Sequence, residues 1–196
     1  MAIEGLMGKL PVGDPYPVRI VGIINLSSAS FYRGSISSLS ELERKVEQMI
    51  REGVDCIDIG AQSTRPIQIY GGEGRIDEVT EKAIISKAIK IIKDLKESYT
   101  VEFSVDTVRA AVAEEALKAD IQIINDISGF KKDENMAKLI ANYDASVVLM
   151  AARKEPGDVY TIGDIINELK NYGLVAKENN QYIILDPIIF YYLKAK

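Results

Sequence analysis

The chain has 196 residues, 47% hydrophobic and 27% charged, which suits a soluble globular protein of one domain or a small pair. Its 24 basic and 29 acidic side chains leave a net charge of -5, which repels polyphosphate backbones and argues against nucleic acid as a partner. No histidine occurs, so Ser-His-Asp and Cys-His relays and every imidazole-based zinc site are excluded, and any chemistry falls to carboxylates, amides, hydroxyls, Arg and Lys.

Residues 1–17 form a lead-in without the apolar core of a signal peptide, and no apolar run approaches the roughly 20 residues that span a bilayer. The expectation is a cytoplasmic protein with no membrane partner. Short apolar runs then alternate with longer amphipathic stretches. The first strand is expected over Val18 to Ile24. Ser40 and Glu43 read as a capping box opening a helix in which Leu42, Val46, Met49 and Ile50 share a face, with Gly53 just past its end. A second strand follows from Val54 to Ile59 and contains Cys56, the sole cysteine, expected to be a buried and inert thiol.

The glycine-rich Gly71 to Gly74 reads as a surface loop. A long helix is expected from Asp77 to about Ser98, with an apolar pattern of Val79, Ala83, Ile84, Ala88, Ile91, Ile92 and Leu95. Strands are expected at Val101 to Val105, Ile121 to Ile124 and Ser146 to Met150, with helices from Val108 to Lys118 and Glu134 to Asn142 between them. A last helix starts near Thr161 or Gly163, and a sixth strand spans Tyr182 to Leu185. The near-continuous apolar character of these runs suggests parallel strands covered on both faces. Such β/α alternation fits either a doubly wound open sheet or a (β/α)₈ barrel. The Gly-x-Gly-x-x-Gly turn of dinucleotide-binding sheets does not follow the first strand, and no Walker A sequence occurs.

Polar side chains gather where the apolar runs stop, the edge at which α/β proteins bind ligands. They are Asn25 with Ser27, Ser28 and Ser30; Asp58 followed by Gln62, Ser63, Thr64 and Arg65; Ser104, Asp106 and Thr107; Asn125, Asp126 and Ser128; Met150 with Arg153; and Asp186. Any one of them could simply cap a helix, as Asp106 or Thr107 could before Val108. Together they suit an orienting pocket. Asp106 and Asp186 can each accept two parallel N–H bonds, Asn125 can donate and accept, and the set would complement a flat heterocycle such as an aminopyrimidinone. Arg65, kept out of a helix by Pro66, suits a phosphate or carboxylate.

At these residues the sequence resembles the dihydropteroate synthases and, more broadly, the pterin-binding TIM-barrel family. Gly22-Ile23-Ile24-Asn25-Leu26-Ser27-Ser28-Ala29-Ser30-Phe31 resembles the first-loop signature G-I-x-N-x-T-P-D-S-F. Asp58-Ile59-Gly60-Ala61-Gln62-Ser63-Thr64-Arg65-Pro66 resembles D-I-G-G-E-S-T-R-P, Ser104-Val105-Asp106-Thr107 matches S-V-D-T, and Ile124-Asn125-Asp126-Ile127-Ser128-Gly129 resembles I-N-D-x-S-G. Val148-Leu149-Met150 and Leu185-Asp186-Pro187 stand where the fifth and sixth strands meet the site. The resemblance implies a TIM (β/α)₈-barrel type, here an incomplete barrel of about six β/α units over residues 18–196 that lacks the last two. It implies a dihydropterin held by Asp106, Asn125 and Asp186 with Met150 packed against it. It also implies Mg²⁺ and pyrophosphate near Asn25, and a loop carrying Thr64 and Arg65 beside the phosphates and the second substrate. The implied reaction condenses a dihydropterin pyrophosphate with p-aminobenzoate or a related arylamine in folate-type cofactor synthesis.

Several positions depart from that pattern. Ser28-Ala29 replaces the first-loop Pro-Asp, Gln62 replaces the second-loop Glu, and Ala151 stands where a His usually follows the Met. The glycine-rich segment after the sixth-strand Asp-Pro, the seventh-strand S-x-K and the eighth-strand R-x-H have no counterpart in this sequence. The expectations are therefore a fragment of a longer enzyme, a remnant completed by a partner chain or homo-oligomer, or a binding-only relative. Two alternative functions stay open: a methyltransferase subunit acting on methyl-tetrahydrofolate or methyl-tetrahydromethanopterin, and a non-catalytic scaffold.

Overall fold

The computed structural model describes residues 4–26, 38–62 and 76–150, with the backbone of 175–178 and 181–184. Thr64, Arg65, Asp186, the Gly71 to Gly74 loop and the helix expected near Thr161 lie outside the described residues. A hairpin of β1 (Glu4–Met7) and β2 (Leu10–Gly13) precedes β3 (Val21–Asn25). There follow α1 (Leu42–Arg51), β4 (Cys56–Gly60), α2 (Glu78–Ser98), β5 (Glu102–Asp106), α3 (Ala110–Lys118), β6 (Ile123–Asp126), α4 (Met136–Tyr143) and β7 (Ser146–Leu149). An antiparallel pair, β8 (Val175–Glu178) and β9 (Gln181–Ile184), stands apart as its own two-stranded sheet.

Strands β3 to β7 form one five-stranded parallel sheet in strict chain order. A doubly wound sheet reverses its order at a switch point and places helices on both faces. Here successive helices pack side by side on one face only, α1 on α2, α2 on α3 and α3 on α4, which is the winding of a (β/α)₈ barrel. Parallel strands covered on both faces are expected of a barrel as well, and β4 is buried at every position. The helix-side row Ile24, Ile59, Val105, Ile124 and Val147 is buried, and Ile57 and Phe103 continue it. Val46 of α1, Ile85, Ala88 and Ile92 of α2, Val112 and Ala116 of α3, and Met136 of α4 complete this core. The intervening residues Cys56, Asp58, Ser104 and Asp106 face the other way, because side chains alternate along a strand.

At the amino ends of the strands that inner face is closed by the β1–β2 hairpin, absent from the sequence expectation. Met7 and Val12 bury against Cys56 and Ile123. Gly8 adopts φ +60° in the tight turn, and its N–H donates to Ser146 Oγ at 3.0 Å. A Cβ at Gly8 would lie 2.7 Å from the movable Glu102 Oε2, and the positive φ strains any residue with a side chain there. Burial pushes the Cys56 thiol up to about 12, in keeping with an inert cysteine.

Three local expectations are corrected. The capping pair is Ser38 and Glu41, not Ser40 and Glu43: Glu41 Oε2 accepts from the Ser38 N–H at 3.2 Å and the Ser38 hydroxyl at 2.8 Å, starting a 3₁₀ turn (Leu39–Glu41) that leads into α1. In α2, capped by Asp77 through a 2.7 Å bond from the Thr80 N–H, the buried face is Glu81, Ile85, Ala88, Ile89, Ile92 and Leu95. Val79 is 78% exposed; the stripe is rotated because a carboxylate occupies its first position. The apolar run expected as a sixth parallel strand instead pairs antiparallel in β9.

Phe103 is 1% exposed at the centre of the helix-side core. Phe103→Ala is expected to cost about 3–5 kcal/mol in a denaturant melt, and a loss under about 1 kcal/mol would contradict the assigned core.

Candidate functional site

The carboxyl ends of the parallel strands bring the sequence-predicted residues into one row. Asn25 pairs with Gly60, Gly60 with Asp106, and Asp106 with Asn125. In-register partners of a parallel sheet share a face, so Asn25, Asp106 and Asn125 line the inner side at one height. Gly60 leaves the gap between two of them open: a Cβ there would lie 3.4 Å from Asp106 Oδ2 and 3.5 Å from Asn25 Oδ1. Two polar side chains therefore converge over a residue that has none.

One layer deeper, Asp58 of β4 pairs in register with Ser104 of β5. Asp58 is buried, and its two oxygens are both occupied: Oδ1 accepts from the Ser104 hydroxyl, and Oδ2 accepts from Asn125 Nδ2 at 3.0 Å. Burial pushes the Asp58 carboxyl above the usual carboxylate range, and these two hydrogen bonds oppose the rise. In the sequence Asp58 counts among the polar residues of its strand end and opens the second-loop signature, with no role of its own. Period-two alternation in Cys56-Ile57-Asp58-Ile59-Gly60 is the signal that places it on the site's face.

Asp106 is different. Its Oδ1 is fully buried and has no hydrogen-bond partner among the described residues. Burial, then the charges of Asp58, Glu81 and Asp126, hold its carboxyl well above the ordinary range. A buried acceptor left unpaired is costly, and it is the kind of group a ligand donor satisfies. Asp106 does not cap a helix; α3 begins at Ala110, whose N–H donates to Asp133 Oδ2 at 2.8 Å.

Thr107 and Asp126, polar in sequence, serve the scaffold. Thr107 Oγ1 donates to Glu81 Oε1 at 2.7 Å and accepts from the Arg109 N–H at 3.2 Å, while Arg109 also pairs with Glu81 and donates from Nη2 to the Ile76 carbonyl at 2.8 Å. This buried cluster, missed in the sequence because a Glu on a helix reads as solvent-facing, anchors the turn after Asp106 to the start of α2. Asp126 points opposite to Asn125, as alternation demands. It accepts from the Ser128 N–H and hydroxyl, each at 2.7 Å, and from the Phe130 N–H at 3.0 Å, fixing the turn beyond β6.

Met150 follows β7 at the same rim and is 39% exposed, an apolar surface beside the polar row. Its N–H donates to the Asp126 carbonyl at 3.2 Å. Among the described residues no cluster of three or more carboxylate or thiol side chains is arranged to hold a metal ion. Asn25 supplies an amide oxygen, a hard donor of the type Mg²⁺ accepts.

The chain matches the family model described as pterin binding enzyme over residues 21–195. It is 38% identical over 172 residues to dihydropteroate synthase of Clostridium beijerinckii, covering 86% of this chain and 61% of that protein. It is 37% identical over 172 residues to dihydropteroate synthase of Bacillus subtilis, covering 86% and 58% respectively. Thus the chain spans about three fifths of the length of these relatives. Among solved structures, it superposes on a Yersinia pestis dihydropteroate synthase in complex with a sulfonamide drug with a TM-score of 0.68 at 25% identity, covering 87% of this chain and 61% of that one. A Clostridium difficile dihydropteroate synthase crystallised with pteroic acid gives 0.59 at 34% identity, covering 79% and 55%.

A carboxyl that titrates higher in the folded than in the unfolded state binds its proton more tightly when folded. Its stabilising contribution is complete below the unfolded titration point and is lost as pH rises through the folded one. Wild-type stability is therefore expected to fall as pH climbs from the ordinary carboxylate range through the raised titration point of Asp106. Asp106→Asn, which replaces a carboxyl that is costly to ionise in its buried place with a neutral amide, is expected to be more stable at pH 7 by about 1–3 kcal/mol and to flatten this dependence. Thermal melts across pH check it; a lower melting temperature for the variant at pH 7 would contradict the assignment.

Proposed function

The chain belongs to the pterin-binding enzyme family, and on that footing we propose that it carries the pterin-binding part of a dihydropteroate-synthase site. The observation that carries this reading is the unpartnered buried acceptor of Asp106, set beside Asn125 in one register row. A carboxylate in that position takes two parallel N–H bonds from a 2-amino-4-oxopyrimidine edge, and such charge-assisted pairs are strong and directional. Asn125 adds a donor and an acceptor, Asp186 a second carboxylate, and Met150 an apolar surface for the flat ring.

The reaction proposed is substitution at the pterin's exocyclic methylene. The carbon–oxygen bond to pyrophosphate breaks with its electron pair leaving on oxygen, the arylamine nitrogen of p-aminobenzoate forms the new bond to carbon, and that nitrogen releases a proton. Asp106 and Asn125 hold and orient the ring, which converts the encounter into a positioned one. Their negative and dipolar groups also favour positive charge developing on the pterin side. Thr64 and Arg65 are assigned to the phosphates and the arylamine, with Arg65 matching phosphate by its planar fork. Asn25 would hold Mg²⁺, whose contribution when bound is to neutralise the departing pyrophosphate.

The partners proposed are small molecules in a cytoplasmic setting, and among the described residues no helix is long and apolar enough to cross a membrane. Calorimetric titration with 6-hydroxymethyl-7,8-dihydropterin tests the reading. Asp106→Ala is expected to weaken binding about 10- to 100-fold, whereas Glu114→Ala, at a surface ion pair with Lys118, leaves it unchanged. Equal affinity in wild type and Asp106→Ala would contradict it.

A further inference from the structure

Asp106 ends β5 at a place where a helix cap is expected, since in the sequence it or Thr107 could cap a helix opening at Val108. The structure delays that helix to Ala110 and satisfies the connection without Asp106. The Thr107 N–H donates to the Asn125 carbonyl at 3.0 Å, the Arg109 N–H to Thr107 Oγ1 at 3.2 Å, and the Ala110 N–H to Asp133 Oδ2 at 2.8 Å. Arg109 keeps an extended backbone, with φ -114° and ψ 120°. The group at the centre of this arrangement is Glu81. It is buried on α2 with both oxygens engaged: Oε1 accepts from the Thr107 hydroxyl at 2.7 Å, and Oε2 pairs with Arg109, whose Nη2 donates to the Ile76 carbonyl at 2.8 Å. An ionised carboxylate only accepts, so the Thr107 hydroxyl must donate to it and keeps its lone pairs for the Arg109 N–H. Burying a carboxylate costs more than packing an apolar side chain in its place, so the packing of α2 alone does not account for Glu81.

We infer that Glu81 is a positioning residue which, through the Thr107 hydroxyl, holds the 107–109 connection out of the helix and so keeps the Asp106 carboxyl uncommitted for a ligand. The inference rests on the pterin reading above for the identity of that ligand, and adds the device that keeps the acceptor open. Freed of the hydroxyl, residues 107–109 would join α3 as its first turn. The carboxyl of Asp106 would then stand at the cap and accept the N–H groups of Val108 and Arg109 in place of a ligand's. Thr107→Val separates this role from charge effects, because Val has nearly the shape of Thr, lacks the hydroxyl and changes no charge. The groups whose charges act on Asp106, namely Asp58 of β4, Glu81 of α2 and Asp126 of β6, all remain, so a change in its titration reports a change in its hydrogen bonds.

The experiment reads the Asp106 carboxyl by carbon-13 NMR across pH in the ligand-free chain, and the affinity for 6-hydroxymethyl-7,8-dihydropterin by calorimetry, on wild type, Thr107→Val and Thr107→Ser. In Thr107→Val the Asp106 midpoint is expected to fall toward the ordinary carboxylate range as it gains backbone donors, and affinity to fall about tenfold. Thr107→Ser, which keeps the hydroxyl, is expected to hold the wild-type midpoint and an affinity within about threefold of wild type. A Thr107→Val midpoint equal to that of wild type, or a Thr107→Ser chain as impaired as Thr107→Val, would overturn the positioning role and leave the pterin reading intact. A wild type that does not bind the probe would overturn the pterin reading alone, since the midpoints are read without ligand. Should Thr107→Val fail to fold, the wild-type chain still decides the matter. Its Thr107 hydroxyl proton is expected to exchange slowly with solvent, and rapid exchange would overturn the proposal.

Discussion

The parallel register of β3 to β6 governs everything else in this molecule. Backbone hydrogen bonds pair Asn25, Gly60, Asp106 and Asn125 across four adjacent strands, and the pleat then sends their side chains to one face. A slip of one residue in β5 would turn Asp106 into the helix layer and bring Val105 to the site. The slip is opposed by the row beneath the helices, where Phe103 and Val105 of β5 would both have to surrender their burial among Ile57, Ile59 and Ile124. The apolar core and the polar site are two sides of one ladder, and packing on the outer side fixes geometry on the inner.

That arrangement has an electrostatic cost concentrated on one residue. Asp58, deeper in the sheet, has the Ser104 hydroxyl and the Asn125 amide to offset its desolvation. Asp106 lies within reach of the charges of Asp58, Glu81 and Asp126 and has no such compensation at Oδ1 among the described residues. Buried groups strained in this manner concentrate where ligands bind, because the missing partner arrives with the ligand. Nearby, Glu81, Thr107 and Arg109 form a satisfied network that holds the turn beyond Asp106. The contrast between a saturated cluster and an unsaturated neighbour separates scaffold from site more sharply than residue type does.

Much of this was legible in the sequence, for identifiable reasons. The apolar runs located every strand of the parallel sheet to within a few residues, and Asp77 marked the start of α2. Asn25, Asp106 and Asn125 stood out as polar residues ending apolar runs, and the structure does unite them. Hydrophobic period did not disclose the hairpins, because four-residue strands such as Glu4–Met7 are too short to show one. The face of α2 was misread because burial of Glu81 depends on Arg109 and Thr107, which are remote in sequence. Asn125 and Asp126 look equivalent as neighbours in a chain, and only the pleat separates the inner-face amide from the turn-forming carboxylate. Asp58 was obscured by the opposite effect, an acidic residue inside a run that otherwise reads as core.

Family membership and geometry meet at Asp106, whose carboxyl is held above the ordinary range in the free chain and gains donors when a donor edge docks against it. Two N–H groups stabilise the charged form, so its titration midpoint has to fall on binding. Carbon-13 NMR of the Asp106 carboxyl across pH, with and without saturating 6-hydroxymethyl-7,8-dihydropterin, reads this directly. The account requires a midpoint well above ordinary carboxylates in the free chain and a clear drop when the pterin is bound. An ordinary midpoint in the free chain, or one that saturating pterin does not move, would contradict it.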